Sequence, residues 1–273
     1  MSKEPGINQA LAHGGRIHKP EYLMASKNPT VPRLTLQSLH CSLKSIADPL
    51  WAKHSLRFFK TNKGEYGAGD RFLGISVPTV RALVRQYRDL PLRDVDSLLH
   101  SRWHEERLLA LLIWVDQYRR GDVALRQRIY QKYLRSTRYI NNWDLVDSSA
   151  PYIVGDFLAD KDKAVLSRLA RSASLWERRI SVLATFHFIR NGRFDEALKI
   201  ATLLLHEEHD LIHKATGWML RKVGKRDRPI LERFLIRHQA NMPRTMLRYA
   251  IEHLPAPLRR RYLQGTVRTK ITR

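Results

Sequence analysis

LLHSRWHEERLLALL, residues 98–112, and LLLHEEHDLIHKATG, residues 203–217, run in the same order: a short helix, a polar turn and a long helix. Around them, apolar residues recur at steps of three and four, as at Leu125, Ile129, Tyr133 and Leu134, which is the period of an amphipathic helix. This pattern starts at LTLQSLHCSLKSIAD, residues 34–48, and continues nearly to the end of the chain. Gly121, Gly192 and Gly224 each follow a basic turn and suit the left-handed position after a helix end. Ser174 and Glu177 have capping-box spacing, with the serine accepting from the third amide and the glutamate reaching back to the cap. No stretch alternates in the manner of a strand. The chain reads as all-α.

The residues that open successive long helices, Trp103, Trp143, Trp176 and Ile212, lie 40, 33 and 36 residues apart. That spacing is in the range of solenoids built from antiparallel helix pairs of the HEAT or armadillo type. Stacked pairs curve, and the inner helices line a concave surface. Lys and Arg number 49 against 26 Asp and Glu, a net charge of +23 over 273 residues, which asks for a polyanionic partner and makes that surface a basic cleft shaped for duplex nucleic acid. A membrane is the weaker candidate, because no run of about 18 apolar residues is present. There is no secretory leader pattern, and Cys41 stands alone, so neither an intrachain disulfide nor a thiolate metal cluster can form. A cytoplasmic location is expected.

Residues 1–32 hold four prolines, three glycines and little periodicity, and read as a disordered basic arm, either a plain tail or a grip on DNA. Residues 33–262 form the helical domain. Residues 263–273 are a basic tail, which reads either as a further phosphate contact or as a frayed end.

INNWDLVDSS, residues 140–149, sets two acids beside a tryptophan in this basic chain. On a helix Trp143 and Asp147 share a face, while Asp144 is turned about 100° away from Trp143. Asp144 suits a helix-start cap. Asp147, with Val146, Ala150 and Tyr152 around it, reads as a partly buried carboxylate, either salt-bridged or functional. In HEEH, residues 206–209, two histidines stand three apart; a solvated helix start and a metal pair lacking a third ligand are the two readings. No phosphate-binding loop, zinc-protease motif or nucleophile elbow is present.

Four segments, LRFFKTNKGEYGAGDRFLGISVPTVRAL (56–83), NNWDLVDSSAPYIVGDFL (141–158), SLWERRISVLATFHFIR (174–190) and LIHKATGWMLRKVGK (211–225), in this order and spacing, resemble the DNA alkylation repair glycosylases of the AlkD family. The resemblance runs from about residue 45 to 255. It implies a fold of HEAT-like repeats, duplex DNA carrying alkylated bases as partner, no cofactor and no metal, a monomer, and removal of cationic purines alkylated at N7 of guanine or N3 of adenine. It places the catalytic carboxylate on Asp147, the lesion-site tryptophans on Trp143 and Trp218, and the active-site arginine on Arg179. A family tyrosine falls on Phe58, where the ring is kept and the hydroxyl lost. The alternatives are a HEAT-like module that binds nucleic acid or a protein without chemistry and, less favoured, a metal nuclease using Asp144 and Asp147.

Overall fold

A computed structural model describes residues 34–267; the arm expected over residues 1–32 lies outside them. Fourteen α-helices follow one another in these residues: α1 (Leu36–Ser45), α2 (Pro49–Phe58), α3 (Val77–Tyr87), α4 (Leu92–Leu99), α5 (His104–Arg120), α6 (Val123–Arg135), α7 (Trp143–Asp147), α8 (Ala164–Ala170), α9 (Leu175–Arg190), α10 (Asp195–Leu203), α11 (Asp210–Gly224), α12 (Arg228–His238), α13 (Arg244–Ala250) and α14 (Ala256–Leu263). Among the described residues the extended backbone pairs only at an isolated bridge between Arg71 and Trp103.

The helices start where short polar side chains satisfy free amides. Thr35 and Ser38 form a reciprocal box before α1, and Asp48 caps α2 with Pro49 at the first position. Asp122, Ser174 and Asp227 accept the third amide of α6, α9 and α12. The box expected at Ser174 is only half made, since the carboxylate of Glu177 accepts from the Thr137 hydroxyl at 2.7 Å instead of reaching back to the cap.

Helices α5, α7, α9, α11 and α13 pack each on the next, while α4, α8 and α12 lie against α5, α9 and α11, and α10 lies against both α9 and α11. This is the all-α solenoid of paired helices. One apolar core runs from Leu39 to Val223, and a second, from Ala201 to Tyr262, closes the C-terminal helices. The inner row is drawn tight by glycines. A methyl group on Gly155 would stand 2.3 Å from the Ala184 carbonyl oxygen of α9, and one on Gly217 would stand 2.5 Å from the Met246 carbonyl oxygen of α13.

Three local expectations change. Only Gly192 has the left-handed backbone, at φ +71°; Gly121 is extended, and Gly224 is the last residue of α11, where a methyl group would meet Leu231 Cδ2 at 2.3 Å. The helical pattern is broken at residues 59–76, which cross from α2 to α3 without a helix. The Glu105 carboxylate holds that crossing in place by accepting the amides of Leu73, Gly74 and Ile75 at 2.8–3.2 Å. Finally, the helix that opens at Trp143 stops after Asp147 and resumes as a π-turn, Pro151–Gly155. Proline has no N–H for the carbonyl of Asp147, four residues back, and its ring crowds that carbonyl.

The close approach at Gly217 predicts that Gly217→Ala destabilises the protein even though alanine is the better helix former by about 1 kcal/mol. A net loss of about 2 kcal/mol from overpacking is expected, read as a fall of roughly 4–8 °C in the melting midpoint for a domain of this size.

Candidate active site at the broken helix

Helix α7 lies between α5 and α9, and its two acids leave it in different directions. Its cap is Asn142, whose side-chain oxygen accepts the Trp143 amide at 2.8 Å. Asp144 is therefore not the cap. Where the helix breaks, the hydroxyls of Ser148 and Ser149 donate to the carbonyls of Asp144 and Leu145, so that the interrupted backbone keeps its partners.

Asp147 faces α9. Arg179 Nε donates to its Oδ1 at 2.9 Å and Nη2 to its Oδ2 at 2.8 Å, a bidentate pair, while Arg179 Nη1 donates to the Leu211 carbonyl of α11 at 2.8 Å. The Arg179 side chain is buried and that of Asp147 is 13% exposed. Burial pushes the Asp147 carboxyl above its ordinary value, against the pull of the Arg179 guanidinium, and nearby Asp144 adds to the rise. The salt bridge and the functional reading of Asp147 are thus both compatible with its position: the ion pair exists, and the side chain is not fully enclosed. Arg178 turns away to Glu207, with Nε and Oε2 2.8 Å apart, so of the two adjacent arginines it is Arg179 that meets Asp147.

Asp144 faces α5. Its Oδ2 lies 2.8 Å from His104 Nε2; His104 Nδ1 lies 3.2 Å from Asp70 Oδ2; Asp70 Oδ1 accepts from Arg107 Nη2 at 2.6 Å. Asn142 Nδ2 also donates to Asp70, at 3.0 Å. Burial alone would drive the imidazole toward its neutral form, but the Asp144 charge and the bonds to both carboxylates outweigh it and raise His104 to about 9. Burial would likewise raise Asp70, and here the His104 bond and the Arg107 charge prevail and hold it below its ordinary value. The result is a chain of alternating charge, Asp144, His104, Asp70, Arg107, beside the pair of Asp147 and Arg179.

Aromatic rings cover this polar chain. Phe59 and Phe72 each place a ring centroid 4.8 Å from that of His104, and Phe59 stacks on half-buried Trp143 at 5.6 Å. Phe58, which is 52% exposed, sets its ring edgewise to Trp143 at 6.0 Å. From the crossing segment, Tyr66 accepts a hydrogen bond from the Trp143 side chain and packs edgewise on Trp176 at 6.1 Å. Burial raises the Tyr66 hydroxyl, while that bond and the charges of Lys214 and Arg179 oppose the rise. Trp218 follows Lys214 by one turn of α11, beside Phe186 at 6.3 Å and under Lys222 Nζ at 5.7 Å.

Phe58 meets Trp143 and Arg179 meets Asp147, two pairs linked through α7, and Trp218 stands on the α11 face that carries Lys214. Tyr66, Asp70, His104 and Arg107 belong to the same cluster and were not singled out in the sequence. A buried HEER start to α5, polar at four consecutive positions, was the available signal for the last two. His209 serves α11 as its cap, with Nδ1 accepting the Leu211 amide at 3.1 Å, and among the described residues no group of three or more potential ligands forms a metal site.

The raised pKa of His104 predicts a pH-dependent stability. Its contribution is complete below the ordinary value of 6.5, where the unfolded chain is protonated too, and it dwindles as the pH rises from there through about 9. Denaturant unfolding of the native protein should show this loss between pH 6.5 and 9, and His104→Gln should flatten that limb of the profile.

No helix among the described residues is long and apolar enough to cross a membrane. Curated proteins contain no match to this chain. A solved structure from Enterococcus faecalis, titled a predicted DNA alkylation repair enzyme, superposes with a TM-score of 0.62 at 17% identity, over 77% of this chain and 97% of its own, and shares the fold. The model of the DNA alkylation repair enzyme family matches residues 39–254. With that match spanning α1 through α13, the chain belongs to the DNA alkylation repair enzyme family.

Proposed function

We propose that this member of the family is a DNA glycosylase of the AlkD type, hydrolysing the N-glycosidic bond of cationic alkylated purines in duplex DNA. The observation that carries the reading is Asp147: a partly exposed carboxylate whose two oxygens are fixed by a buried arginine, set beside Trp143 in a chain of charge +23.

A purine alkylated at N7 or N3 is already cationic, so its departure needs no protonation. The barrier lies in the positive charge that grows on the deoxyribose as the bond to nitrogen breaks. A carboxylate held at fixed orientation stabilises that charge without reorganising. Each Asp147 oxygen accepts one bond from Arg179, and a carboxylate has about four acceptor sites, so lone pairs remain to orient the attacking water. Arg179, bound to Asp147 and to Leu211, acts in this reading as the group that positions the carboxylate. Trp143 and Trp218 offer aromatic faces to the sugar and its developing cation. The hydroxyl that Phe58 lacks is matched by that of Tyr66, which meets Trp143 from the crossing segment. The Asp144 charge is bound into the chain that runs through His104 to Asp70 and Arg107, whereas among the described residues Asp147 meets Arg179 alone and lies one turn from Trp143 on the same helix face.

Asp147→Asn keeps shape and removes charge. Release of 7-methylguanine from a duplex with one such lesion, followed in single turnover with EDTA present, is expected to fall by about 10²-fold or more, equivalent to about 3 kcal/mol, while duplex binding persists. Equal rates for mutant and wild type would overturn the role of Asp147. The ionised form is the active one, so the wild-type rate should drop as pH falls through a pKa lying above the ordinary carboxylate value of 3.8. That acid limb should be missing from the residual rate of Asp147→Asn.

A further inference from the structure

Helix α2 presents to solvent what an ordinary surface helix buries. None of its ten residues is buried, yet it carries Trp51 and Phe58, each 52% exposed, and Leu50 at 82%. Trp51, His54 and Phe58, at steps of three and four, make one stripe, with Trp51 stacked on His54 at a centroid distance of 5.3 Å. Lys53, Arg57 and Lys60 run beside it and are exposed. The helix has no acidic residue. Exposed aromatic surface of this kind marks a binding site, and aromatic faces alternating with cations match bases and phosphates better than they match a protein groove.

We propose that α2 is a stacking platform for bases that have left the duplex stack, with Trp51, His54 and Phe58 receiving base faces and Lys53, Arg57 and Lys60 taking the adjoining phosphates. Two observations commit the surface to this occupant. One is the charge complementarity of the flanking cations. The other is continuity with the candidate site, because Phe58 ends the stripe against Trp143, four residues from Asp147. A paired base hides its faces in the stack, so the platform discriminates by pairing state and not by sequence, and it favours sites where damage or a gap has loosened the helix. The inference rests on the reading of the chain as a DNA-binding repair enzyme.

The test compares binding of the full-length protein to a duplex with a short bubble of unpaired thymines and to a fully paired duplex of equal length. Wild type is expected to favour the bubble. Trp51→Ala should cut the ratio of the two affinities by about tenfold, as loss of one stacked base does, while Trp51→Phe should retain most of it. The emission of Trp51, taken as the difference between wild type and Trp51→Phe, should be quenched by oligothymidine. A wild type without preference, or a ratio unchanged in Trp51→Ala, overturns the proposal. So does a Trp51 shielded from acrylamide in the free protein, since another segment then covers the stripe. Release of 7-methylguanine measured on the same wild-type protein separates the two readings. Bubble preference without release keeps the platform and removes the proposed chemistry; release without preference does the reverse.

Discussion

A carboxylate taken out of water among packed helices is tolerable only if a cation with good geometry meets it, and α7 brings two carboxylates into such surroundings within one turn. Asp144 is met by His104 of α5 and Asp147 by Arg179 of α9. Since the acids project from different faces, satisfying both determines how α7 sits between its neighbours. Arg179 extends the tie to α11 through the Leu211 carbonyl, and Asp70 extends it to the crossing segment that follows α2. Four parts of the solenoid are therefore held in register by charges that would each be costly alone. Removing one partner leaves an uncompensated charge, which explains why the cluster is continuous and not scattered.

The same arrangement sets the electrostatics that the proposed reaction would use. Asp70, Asp144 and Asp147 are balanced by Arg107, His104 and Arg179, so the cluster holds no excess charge and its charges are oriented. Asp70 is enclosed, while the two acids of α7 keep a small exposure, 16% for the Asp144 side chain and 13% for that of Asp147. Burial lifts the Asp147 pKa while the guanidinium keeps the carboxylate in place. The π-turn follows from the same stretch, because Pro151 has no N–H for the Asp147 carbonyl and α7 ends there.

Aromatic rings connect this charged interior to the outer surface. His104 lies against Phe59 and Phe72, Phe59 against Trp143, and Trp143 against Phe58, which belongs to the exposed stripe of α2. Apolar faces next to a buried imidazolium exclude water and strengthen its bonds to the carboxylates. The segment that places these rings has no regular structure of its own. It is pinned by Glu105, whose carboxylate collects three of its amides, and by Gly74, whose backbone at φ +80° would bring a methyl group to 2.0 Å from the Asp48 carbonyl oxygen.

Helical periodicity, caps and the recurrence of Trp103, Trp143 and Trp176 determined the helical class and the paired order of the elements, because these depend on residues near one another in the chain. The step of four from Trp143 to Asp147 likewise made their common face legible, and the step of one from Trp143 to Asp144 its departure from that face. What tertiary structure decided is which partner each acid meets. Asp147 and Arg179 are 32 positions apart, as are Arg179 and Leu211, while Asp70 and His104 are 34 apart; no local pattern encodes such pairings. Tyr66 and Asp70 lie in a segment rich in glycine, whose path is set by contacts to α5 and not by propensity. Glu177 follows the capping-box spacing and still bonds Thr137, since a distant hydroxyl displaced the local amide. Local sequence chose the helices; the cost of burying charge chose how they meet.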